Sequence, residues 1–356
     1  MTGLADRWRS GDEVGSAVVY SETGGPEVLR LVDRPEPVAG PNEVLVRVAV
    51  SGVNPTDWKS RRGSGPGRPT PFPEVVPDQD GAGTVVAVGS GVDGSRVGER
   101  VWIWEAAYGR AGGTAQEVIA LPEAQAVPLP RGASADLGAS LGIPALTAHR
   151  CLTAGAQGPD RIGPGSHRGR RILVAGGAGA VGHAAIELGA WTGATVIATV
   201  SSPEKARLAR AAGAHHVVDY REEDAAGAIR EVAPEGVDVI AEVAPHANRD
   251  LDRSVLAPNG TIVVYGSDGD RLAIPIRPSM LANTCYQFVL VYSVPEAAKR
   301  RAVADVAAAV AAGILRVGED AGLPLHRFPL ARTADAHAAV EANVVGKVLI
   351  DVGTGW

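Results

Sequence analysis

Residues 172–182 read ILVAGGAGAVG, an apolar run that turns through glycines straight into a helical pattern. Gly177, Gly179 and Gly182 stand in G-x-G-x-x-G spacing. After a strand and before a helix, the first glycine permits a tight turn and the second lets the backbone approach a pyrophosphate. The third lets the helix pack close to the strand. The free N–H groups at Ala180 and Val181 would hold the anion, favoured by the helix dipole. A glycine triplet says little in a chain with 45 glycines, so its surroundings decide. Strands at TVIATV, HHVVDY, VDVIAEV and TIVVYG alternate with helical patterns at SPEKARLARAAGA, REEDAAGAIREVA and NRDLDRSVLA. Continuous apolar strands separated by helices predict an α/β fold whose parallel sheet is covered on both faces.

Upstream the texture differs. From Ser16 come short β-type runs, SAVVY, VLRLVD, EVLVRVAV, GAGTVVAVG, RVWIW and AQEVIAL, each bounded by Gly or Pro. EVLVRVAV alternates apolar and polar positions, as a half-buried antiparallel strand does. These runs predict a mostly β domain with glycine-rich corners. The 356 residues exceed one ordinary core. The expected division is a β domain over 1–144, a dinucleotide-binding domain over 145–286 and a return to the first domain over 287–356. The last stretch holds a long helix, PEAAKRRAVADVAAAVAAG, and a closing strand, KVLIDV. Residues 1–15 read as a polar leader without the apolar segment of a secretory signal.

A net charge of −6 gives no global basic field for nucleic acid or an anionic membrane. No apolar run approaches the ~20 residues of a membrane span. Cys151 and Cys285 form neither a disulfide framework nor a C-x-x-C pair, and read as free thiols of a cytoplasmic protein.

The second strand of the alternation ends ATVSSPEK. An NAD site usually has an acidic residue there for the ribose 2′-OH. Here Ser201 or Ser202 takes that position and Lys205 follows one helical turn on. Hydroxyls and an ammonium suit a 2′-phosphate, which a carboxylate would repel. Tyr220 and Arg221, ending the third strand, are placed to close over the same phosphate. The expectation is NADPH, with helix capping by Ser201 as a competing or additional role.

The chain resembles the medium-chain dehydrogenase/reductase superfamily in its zinc-independent quinone oxidoreductase, zeta-crystallin-like branch. The matching stretches are GGPEVLRLVDRPEPVAGPNEVLVRVAVSGVNPTDW, PDQDGAGTVVAVGSGV, GASLGIPALTAHRCL, the phosphate turn, SSPEKARLARAAGAHHVVDYREED, VVYGS and GKVLIDV. The resemblance implies a Rossmann domain joined to a GroES-like catalytic domain. Where the zinc alcohol dehydrogenases have a cysteine ligand this chain has Asn54, and where they have Gly-His-Glu it has Gln79 and Asp80. The four-cysteine lobe is missing, so no zinc is expected. Asp57, Asp78 and Asp80 are assigned structural roles rather than a metal site.

The implied reaction is hydride transfer to a quinone or an α,β-unsaturated carbonyl. Negative charge then develops on the carbonyl oxygen, and aimed donors stabilise it. The resemblance places Asn54 beside the nicotinamide, its amide N–H serving substrate or cofactor; a plain Asn-Pro turn is the other reading. Thr147, Gly266, Ser267, Asn343 and Lys347 are carried over as cofactor neighbours. Trp58 and Lys59 stand where many relatives carry a tyrosine, and Lys59 is a candidate proton donor or a solvated lysine. Trp104 and Tyr108 are candidates for a pocket wall or for β-core packing. An enoyl-thioester or tailoring reductase, and a non-catalytic NADPH-binding protein, remain as alternatives. The resemblance also implies a homodimer, with FVLVYSV at 288–294 as the candidate edge strand.

Overall fold

The computed structural model describes residues 14–155, 157–221, 224–353 and 356. The expected leader lies outside the described residues apart from Val14 and Gly15, which open β1 (Val14–Val19), paired antiparallel with β2 (Arg30–Pro35). The chain divides into two compact units, residues 1–143 with 325–356, and residues 144–324. The return to the first unit comes at Leu325, later than the expected residue 287. The helix over 296–311 stays with the second unit because it buries Ala302, Val306, Ala309 and Val310 there.

In the second unit six strands run parallel: β8 (Arg171–Ala175), β9 (Thr195–Val200), β10 (His216–Asp219), β11 (Val237–Glu242), β12 (Leu256–Val264) and β13 (Cys285–Phe288). Their order is β10-β9-β8-β11-β12-β13. This is the doubly wound Rossmann order, and its reversal beside β8 opens a crevice at the strands' carboxyl ends. The apolar strands hinted at by the sequence bury Leu173, Ile197, Ile240 and Ile262 against Ile229 and Val255 of the covering helices.

The edge strand corrects an expectation. It is Cys285–Phe288, and Val291–Ser293 is a 3₁₀ turn that buries Val291 and Tyr292. An apolar run marks burial without distinguishing a strand from a turn that plugs the core.

The first unit is built on β3 (Glu43–Val53), an eleven-residue strand. It pairs antiparallel with β4 (Asp80–Val88), β6 (Val118–Pro122) and β15 (Lys347–Asp351). β5 (Arg100–Ile103), β7 (Ala126–Pro128) and β14 (Leu325–Pro329) extend that sheet. Valines at alternate positions of β3, Val44, Val46 and Val48, enter one core with Val85, Val101, Ile103 and Ile119. Trp104, also buried, donates its indole N–H to Ala124 O at 3.1 Å, which makes it a core residue; Tyr108 is 48% exposed. No helix among the described residues is long and apolar enough to cross a membrane.

Candidate active site

β8 delivers the phosphate turn. The left-handed residue that turns the chain is Gly176, at φ 69°, and not Gly177 as the spacing had suggested. Gly177 lacks a side chain for another reason, because a Cβ there would lie 2.8 Å from Ala198 Cβ and 3.1 Å from Ile186 Cδ1. At Gly182 a Cβ would lie 2.4 Å from Gly176 O, so the helix over Ala180–Trp191 packs directly on the turn. Gly179 is different. It is exposed, and among the described residues the only atom within 4 Å of a Cβ there is Gly176 O at 3.5 Å. The protein's own packing does not demand glycine at 179, whereas a ligand lying on the turn would. Gly179 is also the helix N-cap and has no side chain to satisfy the first-turn N–H groups. Those groups, including the ones at Ala180 and Val181, suit an anion.

One strand away, Lys205 Nζ donates to Ser201 Oγ at 3.0 Å. Capping falls to Ser202, whose Oγ accepts from Lys205 N at 3.3 Å, and this leaves Ser201 with the ammonium. Tyr220, at the end of the neighbouring strand, is 45% exposed, and its N–H extends the ladder to Val200 O. Gly266 lies two residues beyond β12, and a Cβ there would lie 2.4 Å from Val243 O. Ser267 is exposed and bonds within its own turn to Gly269 O at 2.5 Å. Thr147 lies buried on the helix over Gly142–Thr153. Nothing in the sequence singled out Glu242, fully buried at the end of β11. Its carboxylate accepts from Ala244 N and from Asn248 Nδ2 at 3.0 Å, which shapes the turn that Gly266 approaches.

The first unit holds a buried polar cluster. Asn54 caps the helix over Pro55–Arg62 and is 2% exposed. Its Nδ2 donates to Asp80 Oδ2 at 2.7 Å and, weakly, to Gly52 O at 3.4 Å. Its Oδ1 accepts from Lys347 Nζ at 2.7 Å, and that ammonium lies 3.5 Å from Asp80 Oδ2. Asp80 Oδ1 accepts from Ile143 N. Asp57 reaches back from the helix's first turn to Asn54 N at 2.6 Å, leaving its Oδ1 buried without a partner. Asp78 sits at φ 77°, rarely adopted by non-glycine residues. It takes Ser51 Oγ on Oδ2 at 3.0 Å and faces His337 Nε2 at 2.9 Å through Oδ1.

Burial governs the charges here. It raises the Asp57 carboxyl well above the usual range, with the charges of Asp78 and Asp80 adding to the effect. Burial also pushes Asp80 up to about 6 against the opposing Lys347, Asn54 and Ile143 donors. Lys347 is lowered by burial while Asp80 and Asp57 oppose. Burial thus disfavours the charged forms of Asp57, Asp80 and Lys347, and the close pairing of Asp80 with Lys347 opposes it for those two.

Lys347 is 1% exposed, with its ammonium on Asn54 Oδ1 and near Asp80 Oδ2. Asn54 already has partners for its amide hydrogens, and the one on Gly52 O is the one weakly held. Lys59 is not brought to this cluster; it is exposed, with Nζ 5.7 Å from the Trp58 ring centroid. Asn343 is exposed at φ 58°, the left-handed stop after the helix over Thr333–Glu341. Among the described residues, no group of three His, Cys, Asp or Glu could hold a metal ion.

Residues 40–131 match the alcohol dehydrogenase GroES-like domain family, and residues 180–309 the zinc-binding dehydrogenase family. The quinone oxidoreductase of Lama guanicoe is 30% identical over 96% of this chain and 98% of its own length. The quinone oxidoreductase of Pseudomonas syringae pv. tomato superposes with a TM-score of 0.78 at 28% identity, covering 95% of this chain and 99% of its own. A mycobacterial protein solved in complex with NADPH gives 0.77 at 30% identity, covering 94% and 99%.

Proposed function

Since this chain belongs to the quinone oxidoreductase branch of the medium-chain dehydrogenase/reductase superfamily, we propose that it is an NADPH-dependent reductase of quinones or α,β-unsaturated carbonyls that works without zinc. The cluster around Asn54 carries this reading. An amide N–H held only by a 3.4 Å contact is easily redirected to an oxygen gaining negative charge, with an ammonium close behind it. The ammonium of Lys347 also makes this a poor place for a divalent cation, and an amide is a poor zinc ligand. Bound NADPH supplies the hydride. The N–H groups of Ala180 and Val181 would receive the pyrophosphate, and Ser201 with Lys205 the 2′-phosphate.

The test is NADPH oxidation across a panel of quinones, enones and enoyl thioesters. The expected result is oxidation with quinones or enones. Oxidation of enoyl thioesters alone would move the substrate class, and tight NADPH binding with no oxidation anywhere would leave a binding protein. In the same assay, Ser201→Asp with Lys205→Glu is expected to weaken NADPH about 100-fold and NADH less than about 3-fold, because two charge-assisted contacts to the 2′-phosphate are lost. Equal loss of both nucleotides would show the 2′-phosphate site to be misplaced.

We also propose a homodimer through β13. Among the described residues that strand pairs with β12 alone, and Ile276, Met280, Leu281, Phe288 and Leu290 are 59–75% exposed. Light scattering that gives a monomer mass at micromolar concentration would overturn this. The two cysteines are both free, which supports a reducing, cytoplasmic location.

A further inference from the structure

Lys347 opens β15, 293 residues from Asn54, yet its ammonium is 2.7 Å from the asparagine's Oδ1. A side-chain amide fits a site of this shape two ways round, exchanging oxygen for nitrogen, and only its partners choose between them. Here the partners leave no choice. An ammonium has only donors and takes the oxygen, while the Asp80 carboxylate has only acceptors and takes the nitrogen at 2.7 Å. A cation on the amide oxygen also draws electron density toward it, which makes the N–H groups stronger donors. One of those hydrogens sits in a full-strength bond to Asp80. The other reaches Gly52 O at 3.4 Å, beyond the ordinary 2.7–3.2 Å range, and is the one free to serve a ligand.

We propose that Lys347 is a positioning residue that orients and polarises the Asn54 amide for the substrate oxygen, and is not a ligand of the nucleotide. The proposal rests on the reductase reading given above. It accounts for a lysine buried to 1% exposure inside the β unit, where a lysine serving a nucleotide phosphate would need to present its ammonium outward. It also accounts for Asp80, which holds the nitrogen of the same amide and balances the lysine's charge at 3.5 Å.

A double-mutant cycle tests it, using Asn54→Ala, Lys347→Met and the two combined. Turnover at saturating NADPH, the NADPH dissociation constant and the unfolding free energy of the cofactor-free chain are read for each. Each single change is expected to lower turnover about 100- to 1000-fold, the loss typical of one oxyanion donor. The double variant should fall no further than the worse single variant, within about 3-fold, because both remove the same function. NADPH affinity of Lys347→Met should stay within about 3-fold of the parent, since no phosphate contact is lost. Multiplicative losses of turnover would overturn the proposal. So would a tenfold weaker NADPH complex with turnover retained at saturation, which would return Lys347 to the nucleotide. If the methionine chain does not fold, Lys347→Gln puts a neutral donor one bond shorter in its place, and the same cycle decides. A parent chain that fails to oxidise NADPH with any quinone, enone or enoyl thioester would defeat the reductase reading alone. NADPH affinity and the Asn54–Lys347 coupling in unfolding would still show which partner the lysine serves.

Discussion

Alanine at Gly179 is expected to weaken NADPH about 100-fold while leaving the melting temperature within about 3 °C of the parent. The added methyl meets only Gly176 O, at an ordinary 3.5 Å, so the turn has no reason to move. It does project where a pyrophosphate would have to lie on the helix N-terminus. Gly182→Ala is the informative contrast. Its methyl would lie 2.4 Å from Gly176 O and 3.0 Å from Gly177 Cα, both backbone atoms, so the helix must shift off the turn. That variant should lose the cofactor and, in addition, about 1–3 kcal/mol of stability from overpacking. Fluorescence titration with NADPH and a thermal melt on both variants separate the two effects. Parental affinity in Gly179→Ala would remove the pyrophosphate from this turn.

Asp80→Ala is expected to destabilise the chain by about 3–5 kcal/mol, because it leaves the Lys347 ammonium buried without its counter-charge. In a chain of this size that corresponds to a melting temperature lower by about 4–7 °C. Asp80 is the strongest influence holding the lysine charged, so its removal lowers the Lys347 pKa further below the unfolded value. The unfolded chain then binds the extra proton and the folded chain does not, so the variant should regain stability as pH rises above neutral. Lys347→Met placed on Asp80→Ala should recover much of the loss by removing the stranded charge. Chemical denaturation at pH 7 and pH 9 reads all three expectations. A single variant within about 1 kcal/mol of the parent would mean that water already screens the pair.

What the sequence revealed and what it hid follow from range. The phosphate turn was legible because its chemistry lies within eleven consecutive residues. Even so, the positive φ belongs to Gly176, since adjacent glycines are interchangeable until backbone angles are known. Ser201 and Lys205 were legible as a pair one helical turn apart, while the cap belonged to Ser202. FVLVYSV was apolar enough for a strand, but burial of Val291 and Tyr292 in a turn satisfies the same pattern. Lys347 was noticed for its motif, but its contact with Asn54 was not legible. No spacing rule connects positions 293 residues apart, nor does one predict that Asp78 will hold a left-handed backbone to meet His337.

The order of synthesis gives the discontinuous first unit a timetable. Residues 144–324 emerge as one uninterrupted block, and that unit can close while translation continues. β3, made early, must wait for β15 before its ladder from Val50 to Val53 is complete. Lys347 travels on that late strand. A nascent chain can therefore acquire its dinucleotide fold well before its Asn54 cluster exists, and a ribosome stalled before β15 would display the former without the latter.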